Sequence, residues 1–110
     1  MRKLLLNLPI VTILGLGLGT AHANPYYPPW PADVDASNTS FCEAYTGQSA
    51  PSGEFYYCML EEWGAFISDA EYYAGQLAVL CGQGDQQACD AVEVWAYMIP
   101  WYYEYYQYYG

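Results

Sequence analysis

The run Cys81-Gly82-Gln83-Gly84-Asp85-Gln86-Gln87-Ala88-Cys89 constrains this chain more than any other stretch. Two cysteines bracket a pair of glycines, which interrupt a helix. Asp85 follows them, a residue type whose carboxylate accepts from the free N–H groups that open a new helix. A patterned apolar segment lies on each side. Before the run, Met59, Trp63, Phe66, Ala70, Tyr73, Leu77 and Leu80 recur at spacings of 4-3-4-3-4-3; after it, Ala88, Val92, Trp95 and Ile99 recur at 4-3-4. Each series lines one face of a helix. We therefore expect an all-α fold: a small antiparallel helical hairpin over residues 53–81 and 86–99, stapled by disulfides.

Each predicted helix has weak points. Gly64 and Gly75 cost up to about 1 kcal/mol each relative to Ala. Ser68-x-x-Glu71 forms a capping box at which the first helix could restart. Glu62, Asp69 and Gln76 fall on its polar face, and Gln86, Asp90 and Glu93 face outward on the second helix. Pro100 should kink or end that second helix. The seam nevertheless continues in phase at Tyr102, Tyr106 and Tyr109. A helical tail would carry the element to residue 109, with those three tyrosines inward and Tyr103, Tyr105 and Tyr108 outward.

The N-terminus reads as an export signal. Met1-Arg2-Lys3 is basic, residues 4–18 are almost wholly apolar, and Ala21-His22-Ala23 is a small-x-small cleavage site. The apolar run is shorter than the roughly 20 residues that span a bilayer. We expect a signal peptide, residues 1–23, cleaved after Ala23, and a secreted or periplasmic product. Arg2 and Lys3 are the only basic residues and His22 the only histidine, while all 12 acidic residues come later, so residues 24–110 carry a formal charge of −12. Nucleic acid and anionic membrane surfaces would be repelled. With no His after residue 23, neither a Ser-His nor a Cys-His nucleophile can be assembled.

Residues 24–110 suffice for one domain with a modest core, and exported chains of this size are often cross-linked. The cysteine spacing is C-x15-C-x22-C-x7-C, with no C-x2-C pair, which argues for two disulfides over zinc. On a continuous helix Cys58 and Cys81 would sit roughly 34 Å apart, far beyond disulfide reach. That leaves Cys42–Cys58 and Cys81–Cys89, provided no break occurs near Ser68. The run C-x3-D-x2-A-C also resembles the bridged turn of cysteine-rich, tetratricopeptide-like helical repeats in secreted bacterial proteins. The resemblance covers Cys81 to Cys89 alone, with no second copy in the chain, and implies a helical hairpin.

Residues 24–40 read as an arm. Asn24-Pro25-Tyr26-Tyr27-Pro28-Pro29-Trp30-Pro31 holds four prolines, which favour extended polyproline II. We expect a strap laid on the helices, with a recognition segment as the other reading. Asp33-Val34-Asp35-Ala36-Ser37 begins like a calcium loop, but Asn38 replaces the turn glycine and Ala44 the bidentate Glu. Asp33 and Asp35 are thus weak Ca²⁺ candidates, and we expect neither a built metal site nor a cofactor. Asn38-Thr39-Ser40 is formally a glycosylation sequon. A short helix is expected near 40–46, ended by Gly47. Residues 41–110 form the helical domain in this division.

Twelve of the 14 tyrosines occur as six doublets. Adjacent residues point different ways on a helix, so each doublet can send one ring inward and one out. A domain this small cannot bury them all, and clustered exposed aromatics mark contact surfaces. Tyr103, Tyr105 and Tyr108, with Tyr26, Tyr27 and Trp30 from the arm, are the candidate surface. Catalysis would have to rest on carboxylates alone, with Glu54, Glu61, Glu62 and Glu104 brought together by the tail, and nothing at fixed spacing supports it. We expect a non-enzymatic binding or adhesion module for a protein or glycan surface, or for its own kind. The alternative is a cation-binding or envelope-stress protein that takes up Ca²⁺.

Overall fold

A computed structural model describes residues 24–110, and the expected signal peptide lies outside the described residues. The chain folds into three helices: α1, Pro31–Thr46; α2, Gly53–Gly82; and α3, Gln86–Tyr109. The fold is all-α, with α2 and α3 forming the antiparallel hairpin and α1 packed against both.

The hairpin follows the apolar pattern. Ser52 opens α2, its hydroxyl accepting from the Phe55 N–H. The helix runs unbroken past Ser68, because Trp63, Phe66, Ile67 and Ala70 are all buried there and leave no free face on which to restart. At the turn, Gly84 takes a left-handed φ of 101°, which favours glycine. Asp85 then caps α3, its Oδ1 accepting from the Ala88 N–H at 3.1 Å. Both expected disulfides are present, Cys42–Cys58 and Cys81–Cys89, with Cα–Cα distances of 5.8 and 4.6 Å. Loop-closure entropy puts each at about 2.5–3 kcal/mol. Such bonds are consistent with an oxidising extracellular or periplasmic environment.

The tail is helical, and α3 runs through Pro100 to Tyr109. Proline removes one N–H, but Ala96 and Pro100 are both exposed, so water can serve the carbonyl left behind. Beyond the proline, Tyr102 is fully buried and Tyr105 and Tyr109 pack on the core, which holds the tail in place.

Three expectations are corrected. The arm ends at residue 30, not 40, and the short helix near 40–46 is the end of a 16-residue element. Pro31 is the reason: at a helix's first position its missing N–H has no intrahelical partner to lose, and its fixed φ suits the helix. Val34, Asn38 and Cys42 then form the buried stripe of α1, and Gly47, with φ of 70°, ends it. Asn38 is fully buried, so the folded chain does not present its sequon. Glu62, assigned above to a polar face, is buried, because it lies one turn from Cys58 on the flank that α1 covers.

The third correction concerns the phase of α3. The buried residues are Ala88, Ala91, Trp95, Met98 and Tyr102, continued by half-buried Tyr105 and Tyr109 in a 3-4-3-4-3-4 series, while the expected Val92 and Ile99 also pack on the core, half-buried at its edge. The two phases share Ala88, Trp95, Tyr102 and Tyr109 and differ between them. Tyr105 stacks on Trp63 at 5.1 Å, while Tyr106 is 37% exposed. The strap meets α3 at Trp95 and Tyr102 and α1 meets it at Tyr109, positions common to both phases, while Tyr105 takes its place by stacking on Trp63 of α2.

Residues 24–30 form the expected strap. The Trp95 indole Nε1–H donates to the Tyr26 carbonyl and the Tyr102 hydroxyl to the Pro29 carbonyl, both at 2.6 Å. The Asn24 amide donates to the Gln87 carbonyl at 2.8 Å, and the Tyr26 hydroxyl to Asp85 at 3.3 Å. A proline-rich segment has few N–H groups but a full set of carbonyls. Trp95 and Tyr102, both fully buried, each need an acceptor for their one polar hydrogen, and the strap supplies it.

Candidate functional site

The exposed aromatic rings of α3 lie on two separate flanks. Tyr97, Trp101, Tyr105 and Tyr108 follow one another at spacings of 4, 4 and 3, which places them along one side of the helix. Tyr97 and Trp101 sit with ring centroids 5.9 Å apart and are 63% and 45% exposed; Tyr108 is 69% exposed. Tyr105 is half-buried at the inner edge of this flank. Tyr103 and Tyr106 lie on the other flank, beside Gly64, Ile67, Ser68 and Glu71 of α2, around a shallow cleft of about 240 Å³. The sequence grouped Tyr103, Tyr105 and Tyr108; the helix separates Tyr103 from the other two.

The first flank ends in a groove of about 470 Å³ between α1 and the last turns of α3, lined by Asp35, Glu104, Tyr105, Tyr108 and Tyr109. Asp35 anchors it. Its Oδ1 accepts from the Trp63 indole Nε1–H at 3.1 Å and from the Tyr109 hydroxyl at 2.8 Å. Burial, and then that carboxylate, push the Tyr109 hydroxyl well above the ordinary tyrosine range. Tyr56, from the first turn of α2, closes the end of the groove with its ring 5.3 Å from Tyr109 and 6.3 Å from Tyr108. On the opposite flank Tyr103 donates to Glu71 at 2.8 Å, and this hydrogen bond raises its pKa.

The arm residues divide. Trp30 is 63% exposed at the start of α1 and Tyr27 is exposed, whereas Tyr26 is half-buried and its pKa is raised by the Asp85 charge beside it. Asp33 and Asp35 occupy the first turns of a helix and not a loop. Among the described residues, no three acidic, His or Cys side chains are grouped to hold a metal ion. The carboxylates considered for catalysis are dispersed: Glu61 is exposed, Glu62 buried, Glu54 accepts from Gln48 at 2.9 Å, and Glu104 faces the groove. Sequence reasoning missed Tyr97 and Trp101 because neither belongs to a doublet; their spacing of four from each other and from Tyr105 was the available signal. It missed the pairing of Asp35 with the tail because Asp35 was placed in a loop.

No described helix is long and apolar enough to cross a membrane. No protein-family model, curated protein or solved structure matches the chain.

Proposed function

We propose that this chain is a small exported, non-enzymatic binding module whose contact surface is the Tyr97–Trp101–Tyr108 flank of α3. One observation carries the proposal. Among the described residues, three of the exposed large hydrophobic side chains, Tyr97, Trp101 and Tyr108, share one flank of a single helix over about three turns. Packing explains Tyr102, Tyr105 and Tyr109, and contacts with Glu71 and Gly64 of α2 engage Tyr103 and Tyr106, which leaves Tyr97, Trp101 and Tyr108 as the outward rings. Exposed Tyr and Trp supply broad amphipathic area at little entropic cost, the chemistry of protein and glycan contact surfaces. Export through a signal peptide cleaved after Ala23 fits the two disulfides.

The test is adhesion of the labelled chain to immobilised cell-envelope preparations, with sedimentation velocity as the measure of self-association. Replacing Tyr97, Trp101 and Tyr108 together by Ser should abolish either behaviour while the melting temperature moves little, since surface changes are usually within about 0.5 kcal/mol each. Replacing Tyr57 and Tyr72 on α2 should leave binding intact. A parent chain that neither adheres nor self-associates refutes the module; equal losses from the two sets of changes refute the surface.

A further inference from the structure

The groove at the end of the aromatic flank has walls of two kinds, carboxylates from Asp35 and Glu104 and rings from Tyr105, Tyr108 and Tyr109. Asp35 is held by donors from two other helices, Trp63 and Tyr109, so its position does not depend on a ligand. Residues 24–110 contain no Lys, Arg or His, so no side chain of the domain can neutralise this wall. The α-amino group that cleavage after Ala23 would create belongs to Asn24, which is docked at Gln87. Seventeen residues of α3 separate Gln87 from Glu104, about 25 Å along the helix. A cation that pairs with the groove therefore comes from another molecule.

The lining selects among cations. Ca²⁺ takes about six to eight converging oxygens. The groove offers two carboxylates, and no three metal-ligating side chains are grouped among the described residues. A guanidinium is planar, bonds a carboxylate through two N–H groups and stacks on aromatic faces, which matches both kinds of wall. The groove is also continuous with exposed Trp101 and Tyr97, so a chain carrying the guanidinium has a surface to lie on.

We infer that the groove binds an arginine side chain of a basic protein segment laid along the aromatic flank. This rests on the binding-module reading and names what the module recognises. The test is calorimetric titration of the exported chain with an arginine tripeptide amide. Glu104→Gln and Tyr108→Ala, both at exposed positions, should each weaken binding about fivefold to tenfold, the range of one ion pair or cation–π contact. Glu93→Gln removes the same charge from the outward face of α3 and should change affinity by less than about twofold. Agmatine, which carries the guanidinium without a peptide, should bind at least about tenfold more weakly, and calcium chloride should not displace the peptide.

Equal effects of Glu104→Gln and Glu93→Gln would reduce the attraction to diffuse charge and overturn the inference. Agmatine matching the tripeptide would overturn the protein partner, and displacement by calcium would overturn the organic cation. If the tripeptide fails to bind while adhesion survives and still depends on Tyr97 and Trp101, the groove is refuted and the module stands.

Discussion

Tyr102 allows the strap to be tested with a single atom. Its ring is fully buried, in edge contact with Phe66 at a centroid distance of 4.8 Å and near Trp63 and Trp95 at 5.9 and 6.5 Å. Its hydroxyl donates to the Pro29 carbonyl at 2.6 Å. Tyr102→Phe keeps the ring and its contacts and removes only that hydrogen bond. A neutral hydrogen bond is worth about 1 kcal/mol net, and the deprived carbonyl adds up to a similar amount, so the expected cost is about 1–2 kcal/mol. In a domain of this size that lowers the melting temperature by about 5–15 °C. Tyr102→Ala removes the ring as well and should cost about 3–5 kcal/mol. Urea unfolding followed by circular dichroism measures both. Chymotrypsin supplies a local readout, because Tyr27 and Trp30 each precede a proline and leave Tyr26–Tyr27 as the strap's susceptible bond. In the Phe variant, cleavage there should accelerate while cleavage within α2 does not. A Phe variant as stable as the parent and cleaved at the same rate would show that the hydroxyl does not hold the strap. One as damaged as the Ala variant would show that the ring's burial had been overvalued.

The two possible phases of α3 separate cleanly at one doublet: Tyr105→Ala should cost about 2–3 kcal/mol, for a half-buried ring stacked on Trp63, and Tyr106→Ala less than about 1, with equal costs refuting the assigned phase. At high pH the buried Tyr102 and the half-buried Tyr109 should govern stability. Burial raises the pKa of Tyr102, and burial with Asp35 that of Tyr109, whereas unfolded tyrosine ionises near 10. Below that value the protonated forms contribute in full; above it the unfolded state loses protons first, and stability should fall by up to about 1.4 kcal/mol per pH unit for Tyr102 and by less for Tyr109, which solvent screens. A urea-midpoint series that stays flat through this alkaline range would contradict it. Sodium chloride should raise the melting temperature, because 12 carboxylates repel one another with no basic side chain beyond residue 23 whose ion pair could be weakened; a falling melting temperature would refute that account.

The hairpin was legible because its cues agree. Seven apolar positions in heptad register, two glycines, a capping Asp and a nine-residue cysteine bracket all specify one turn. The length of α2 alone fixed the disulfide pairing. The phase of α3 was not legible, since Val92 and Ile99 are more apolar than Ala91 and as apolar as Met98. The choice between the two stripes depends on contacts from outside the helix, such as Tyr105 on Trp63 of α2, which no local pattern in α3 records. For α1 the cue was present in Pro31 followed by Asp33, a proline at a helix start with an acid in the first turn. Three prolines just upstream obscured it. The groove was the least legible part, because it joins Asp35 to Tyr109, 74 residues away.

That separation bears on how the chain comes to be folded at all. The hydrogen bonds that seat the strap and α1 on α3 span 59 to 74 residues, whereas the Cys81–Cys89 turn closes over 8. A helical protein is usually a fast folder because its contacts are local. Here α1 can seat on α2 through Cys42–Cys58 and the Trp63–Asp35 hydrogen bond, but the strap has no seat until α3 follows. The hairpin can close early; the strap must wait for Trp95 and Tyr102, and Asp35 for Tyr109. In the export proposed above, residues 24–30 would thus reach the far side with their partners Trp95 and Tyr102 still to come. A chain cut short before residue 102 would lose the tail and one of the strap's two indole and phenol anchors together. Completion of the C-terminus is in that sense the final step in folding the N-terminus.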